Sequence, residues 1–217
     1  MLRHAMHSPA QGPSLGPPLT PIGAGDVLRR AGARSAILVE GWSDQAAVEA
    51  LARRRGLDLQ AQGVGLVAIG GITNIGKFVD VLGPRGLGLR LGGLCDAAEA
   101  PYLMRSLHRA GLARTFTREE SERLGFFVCD ADLEDELIRA LGTSAVERIL
   151  ATEGELNSFR KFQEQPAQRG RQAHAQLRRF MGTRARRKIR FGTLLVDALS
   201  LEYAPRPLDL VLAHMRR

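Results

Sequence analysis

The stretch Ile37-Leu38-Val39-Glu40-Gly41-Trp42-Ser43-Asp44 decides how the rest of this 217-residue chain is read. From Ser35 onward a short, wholly apolar run ends in an acid, and a glycine follows at once. That pattern predicts a buried strand meeting a tight turn. Ser43 or Asp44 then stands where a helix N-cap is expected, and the apolar face of Ala46, Ala47, Ala50 and Leu51 carries the helix to Arg55-Gly56. The same alternation recurs outward from this stretch. An apolar run over 64–69 ends at Gly70-Gly71 and precedes a helix over 74–82. A third, over 88–95, ends at Asp96 and precedes a helix over 98–110. A fourth, over 126–129, ends at Asp130 and leads into a helix over 133–141. Short apolar strands separated by helices pair in parallel with both faces covered. The expected fold is α/β: a doubly wound sheet of about four mainly parallel strands.

On either side of this unit the composition changes. Pro9, Pro13, Pro17, Pro18 and Pro21, set among Gly and Ser, predict a disordered tail over 1–25, and Asp26 can cap a short helix to Ala31. After Gly142 the strand signal stops. Helices are expected over 144–152, 155–165, 171–181 and 188–200, before a tail marked by Pro205 and Pro207. Between Arg160 and Arg190 eleven Lys and Arg face one acid, Glu164. The layout expected is therefore a tail (1–25), an α/β domain (26–142) and a basic helical C-terminal appendage (143–217).

A formal net charge of +8 attracts polyanions, and nucleic acid is the partner class that suits it best. Arg178, Arg179, Arg184, Arg186, Arg187 and Arg190 are the expected phosphate contacts. No apolar run approaches the roughly 18 residues that span a bilayer. The first 21 residues lack the apolar core of a secretion signal, so a cytoplasmic location without a membrane partner is expected. Cys95 and Cys129 fit no zinc spacing and are expected to be reduced core thiols.

In open parallel sheets, ligands bind beyond the carboxyl ends of the strands. Glu40, Asp96 and Asp130 end three of the four apolar runs, and Asp44, Asp132 and Glu134 follow within one turn. Any one of these acids alone would serve as a helix cap; the argument rests on their convergence. Crowded carboxylates raise one another's pKa, and a cation relieves the repulsion. Oxygen donors without His or Cys suit Mg²⁺ or Mn²⁺. The segment Gly71-Ile-Thr-Asn-Ile-Gly76-Lys77-Phe78 approaches a phosphate-binding P-loop, but Phe78 stands where that loop needs Ser or Thr. It reads as a turn into a helix capped by Thr73 or Asn74.

Taken together, Ile37-Leu-Val-Glu40-Gly-Trp-Ser-Asp44, Leu94-Cys-Asp96 and Cys129-Asp-Ala-Asp132-Leu-Glu134 resemble a TOPRIM domain. That fold is shared by topoisomerases, primases and the nucleases of the OLD (overcoming lysogenization defect) family. The likeness is closest to the OLD-type branch and covers about residues 34–142. It implies that Glu40 and Asp44 hold one metal ion with Glu134 helping or bridging, and that Asp96 and Asp132 hold a second. The TOPRIM pattern places another Asp two residues after the third-strand acid. Here that position is Ala98, followed by Glu99, with Asp130 as a substitute. OLD-type nucleases also use a downstream lysine, for which Lys188 in Arg186-Arg-Lys188-Ile-Arg190 is the match; a fixed cation there would stabilise charge on phosphoryl oxygens.

The resemblance thus implies a metal-dependent endonuclease hydrolysing DNA phosphodiester bonds with one or two Mg²⁺ or Mn²⁺ ions, its catalytic residues being Glu40, Asp96, Asp132, Glu134 and Lys188. Full OLD proteins carry an N-terminal ATPase domain; none is expected here, which implies a stand-alone TOPRIM protein with a separate ATPase as partner. Two alternatives stay open: a non-catalytic or weakly catalytic nucleic-acid-binding TOPRIM module working with such an ATPase, and an RNA-processing TOPRIM nuclease. Tyr102, in an amphipathic helix, and Tyr203, beside the Pro-rich tail, offer no topoisomerase nucleophile, and primase activity would need a zinc module. Oligomeric state is not legible.

Overall fold

The four apolar runs form four parallel strands, β1 (Ser35–Val39), β2 (Val64–Ala68), β3 (Arg90–Asp96) and β4 (Phe126–Cys129), in the order β2-β1-β3-β4. The computed structural model describes residues 17–216. Helix α1 (Pro21–Arg30) precedes the sheet, α2 (Trp42–Arg54) joins β1 to β2, and α3 (Ile75–Leu82) joins β2 to β3. Between β3 and β4 lie α4 (Ala100–Arg109) and α5 (Arg118–Arg123). Six helices follow: α6 (Leu133–Leu141), α7 (Thr143–Thr152), α8 (Leu156–Gln163), α9 (Ala173–Met181), α10 (Ala185–Ala198) and α11 (Arg206–Met215).

Because strand side chains alternate, each strand feeds two cores. Ile37, Val39, Phe127 and Cys129 join one with α2 and α6 to α11, while Ala36, Leu38, Phe126 and Val128 join the other with α1, α3 and α4. Both cysteines are buried free thiols. No helix among the described residues is long and apolar enough to cross a membrane.

Three features depart from the pattern read in the sequence. Helix α1 begins at Pro21, capped by the Thr20 hydroxyl that accepts from the Gly23 N–H at 3.1 Å, rather than at Asp26; of the expected tail, residues 1–16 lie outside the described residues. Helix α5 is new. Its start is fixed by Thr117, whose hydroxyl accepts from the Glu120 N–H at 3.2 Å. The expected Pro-rich tail is instead helix α11. Pro207 lies within its first turn, where a missing N–H breaks no helical bond, and Leu208, Val211, Leu212 and Met215 are buried in the same core as β1 and β4. Gly92 allows this contact, since a Cβ there would stand 2.3 Å from Met215 Cε and 2.7 Å from the Gly125 carbonyl. The C-terminal helices therefore form one layer of the sheet's own core, and no break in packing falls at residue 142.

Arg187 corrects the expected phosphate-binding set. Its side chain is buried, its guanidinium lying 3.9 Å from the Phe180 ring centroid and donating to Glu155 Oε2 (2.9 Å), Thr183 Oγ1 (2.6 Å) and the Phe180 carbonyl (3.3 Å). With its plane stacked and its donors used, it offers nothing to a phosphate. Removing one partner of a buried ion pair leaves the other charge uncompensated. Arg187→Ala is expected to lower the unfolding free energy by about 3 kcal/mol in urea denaturation. Exposed Arg186→Ala should stay within about 0.5 kcal/mol of the parent.

Candidate metal centre

The chain leaves β1 for β2 on one side of the sheet and later passes from β3 to β4 on the other, so the strand order reverses between β1 and β3. The carboxyl ends of strands flanking such a reversal open onto a crevice. Glu40 directly follows β1, and Asp96 is the last residue of β3. The Glu40 carbonyl accepts from the N–H groups of Gly70 (3.0 Å) and Gly71 (3.1 Å). At φ 70° and 106° both glycines hold a conformation that other residues adopt poorly. They turn the chain away from the Glu40 carboxylate and leave it facing the crevice.

After β3 the Asp96 carbonyl accepts from the Glu99 N–H at 2.9 Å, a turn that folds Glu99 back over the strand end. Carboxylate oxygens of Glu40, Asp96 and Glu99 consequently lie within 4.8 Å of one another. Ala98 is exposed and outside the cluster. Glu99, one residue beyond the position where the TOPRIM pattern places an acid, is the residue that joins the cluster, and sequence reading missed it because a turn, not a spacing, decides which residue comes back.

The other acids surround this trio in different states. Asp44 sits in the first turn of α2, where its Oδ2 accepts from the Gly41 N–H at 2.9 Å. Asp132 caps α6, its Oδ1 accepting from the Asp135 N–H (2.8 Å) and its Oδ2 from Arg178 Nε (2.6 Å). Glu134 is 6% exposed, with its Oε2 at 3.3 Å from Lys188 Nζ. Asp130 stands outside the site: it is solvent-exposed and paired with Arg118 (3.2 Å) and Arg139 (3.4 Å). Its neighbour Cys129 points into the core, and alternation directs Asp130 elsewhere, so it does not substitute for an acid at position 98.

Lys188 reaches the cluster because α10 lies against α2. Gly192, one turn further along α10, makes that approach possible: a Cβ there would be 2.8 Å from the Ser43 carbonyl. Of the other expected phosphate contacts, Arg178 holds Asp132 and Arg190 is paired with Glu153. Arg179, Arg184 and Arg186 are exposed.

Burial and mutual repulsion tune the site. Asp96 is pushed up to about 8 by burial, then by Asp132, Asp44, Glu40 and Glu99. Glu99 rises to about 7 through burial and the neighbouring Glu40, and Glu134 to about 7 through burial, against the pull of Lys188. Asp44 is raised, again chiefly by burial. Burial works to lower Lys188, but Glu134, Asp44 and Asp96 outweigh it and hold its pKa above the ordinary lysine value. Glu99 Oε2 is buried without a hydrogen-bond partner. Clustered carboxylates, an orphaned oxygen and oxygen-only donors fit a hard divalent cation.

A parallel sheet of order β2-β1-β3-β4, with acids beyond the central strands and after β4, defines the TOPRIM class. Within it the chain carries an OLD-like TOPRIM domain: residues 33–97 match the model for the overcoming lysogenization defect protein-like TOPRIM domain. The C-terminal region of the Xanthomonas campestris pv. campestris OLD protein superposes with TM-score 0.64 at 26% identity, covering 85% of this chain and 95% of that one. That of the Burkholderia pseudomallei OLD protein gives 0.62 over 85% and 97%; at 23% identity it speaks to the fold alone. No curated protein matches the sequence. TOPRIM domains generally bind divalent metal, and the family context is that of nucleases.

A carboxyl whose pKa rises on folding stabilises the fold below its ordinary pKa and loses that contribution as pH climbs through the folded value. Metal-free protein should therefore lose thermal stability between about pH 5 and pH 8.5, and Mn²⁺ should restore most at the upper end, as melting curves would record. Glu99→Gln should weaken Mn²⁺ binding in calorimetry by about 10- to 100-fold, whereas Asp130→Asn should leave it unchanged.

Proposed function

We propose that the chain is a divalent-metal-dependent nuclease that hydrolyses phosphodiester bonds in DNA. The observation that carries this reading is the Glu40–Asp96–Glu99 trio beside the buried Glu134 and its half-buried partner Lys188. Glu40, Asp96 and Glu99 would hold one Mg²⁺ or Mn²⁺, and Asp44, Asp132 and Glu134 line the place for a second. When bound, the metal supplies Lewis-acid stabilisation of charge on the phosphodiester and makes water a competent nucleophile at neutral pH.

The protein's own groups do the rest. Lys188 is a fixed cation, kept charged by the acids around it, and offsets negative charge building on the phosphoryl oxygens. Arg178 locks the orientation of Asp132 through their 2.6 Å contact. Arg179, Arg184 and Arg186, exposed on and between α9 and α10, contact strand phosphates and set register rather than sequence. An ATPase is the protein partner this reading proposes.

Supercoiled plasmid and a structured RNA, each with Mg²⁺, Mn²⁺ or chelator, provide the test. Plasmid cleavage that needs metal and vanishes in Glu40→Ala is expected. Lys188→Met should lower kcat by about 10²- to 10³-fold. Cleavage that survives chelator or Glu40→Ala overturns the metal mechanism. Cleavage of RNA alone overturns the DNA assignment, and salt-sensitive binding without cleavage of either substrate replaces the nuclease with a binding module.

A further inference from the structure

The two central strands carry a second polar feature at their opposite ends. β1 and β3 begin side by side, with Ser35 in register with Arg90 and the Arg90 N–H donating to the Arg34 carbonyl at 3.1 Å. A cavity of about 550 Å³ opens there, lined by Arg34, Ser35, Gln62, Arg90, Met215 and Arg216. Three arginines meet in it and no Asp or Glu lines it. Arg34 Nη2 donates to the Gln62 carbonyl at 3.2 Å and Arg90 Nη2 to the Met215 carbonyl at 2.5 Å. Among the described residues none of the three arginines is in an ion pair, whereas Arg53, Arg55, Arg118, Arg139, Arg160 and Arg206 all are.

Three like charges converging on one cavity repel each other unless an anion enters. Guanidinium groups match phosphate oxygens with paired, charge-assisted donors, and Ser35 adds a hydroxyl. The volume falls within the range of pockets that hold nucleotide-sized ligands. From Arg34 to Glu40 the strand spans about 20 Å, so the cavity is separate from the acid cluster and lies across the core from it.

We propose that this cavity is a phosphate-binding site, taking the phosphate of a free nucleotide or of a nucleic-acid strand. Arg34 and Arg216 serve as the recognition donors. Arg90 has the further task of capping the C-terminal end of α11 through the Met215 carbonyl, so substituting it would confound binding with folding.

The test is calorimetric titration of the full chain in metal-free buffer, where no cleavage competes and the nuclease reading is not at stake. Pyrophosphate, adenosine monophosphate and a 5′-phosphorylated hexathymidylate are the probes. Pyrophosphate should bind, and Arg34→Gln and Arg216→Gln should each weaken it by about tenfold or more, with melting temperatures close to the parent. Arg148→Gln, an exposed change on α7, should bind as the parent does. A monophosphate that binds more tightly than pyrophosphate and resists competition by the oligonucleotide supports a free nucleotide as ligand. Oligonucleotide affinity that falls in the same two variants supports the strand. Absence of pyrophosphate binding at millimolar concentration, or parental affinity in both folded variants, overturns the proposal.

Discussion

Placing several carboxylates at one edge of a parallel sheet is the constraint around which this molecule is arranged. Strand order makes it unavoidable, because the reversal between β1 and β3 brings Glu40 and Asp96 to neighbouring strand ends and the turn after β3 adds Glu99. Repulsion among them must be met by positive charge, and the fold supplies part of it. The amino ends of α2 and α6, with their free N–H groups and dipoles, receive Asp44 and Asp132. Lys188 answers Glu134, and Arg178 answers Asp132. The Glu40–Asp96–Glu99 trio is left less well compensated, with Asp96 and Glu99 titrating near neutrality and one Glu99 oxygen without a donor. The remaining deficit is one that a divalent cation fits.

The C-terminal helices show how a basic segment can be architectural. Lys188 and Arg178 reach the acids only because α9 and α10 are packed into the core that α2 and α6 share with the sheet. That packing turns on small details: a glycine at 192 against the Ser43 backbone, and Arg187 stacked on Phe180 while bound to Glu155. Cations that read in the sequence as one phosphate-contacting run thus divide into three uses. Some hold the fold, some neutralise the acids, and Arg179, Arg184 and Arg186 face solvent.

Much of this was legible in the sequence, for definite reasons. Strands buried on both faces are continuous apolar runs, so all four were found, and the acids ending the first and third follow from the geometry of parallel sheets. Glu99 was not legible, since the i to i+3 turn that returns it depends on backbone conformation after Asp96. Asp130 misled because adjacency to a strand end says nothing about which side of the pleat a residue takes. Pro205 and Pro207 suggested a tail, although proline is at home in the first turn of a helix, and the apolar stripe of α11 has only its last turns to declare itself. Arg187 carries no sequence mark distinguishing it from Arg186; only its partners Phe180 and Glu155 do.

The central strand pair has one more property, seen when its two ends are considered as a single object. Arginines gather where β1 and β3 start and carboxylates where they finish, so the molecule carries a side-chain dipole along its strands. In the field of a polyanion such a dipole exerts a torque, and metal-free protein would approach with its arginine end leading. Cation loading reduces or reverses the negative pole and removes that bias. On the nuclease reading proposed above, metal occupancy would then bias the orientation of first encounter with a nucleic acid.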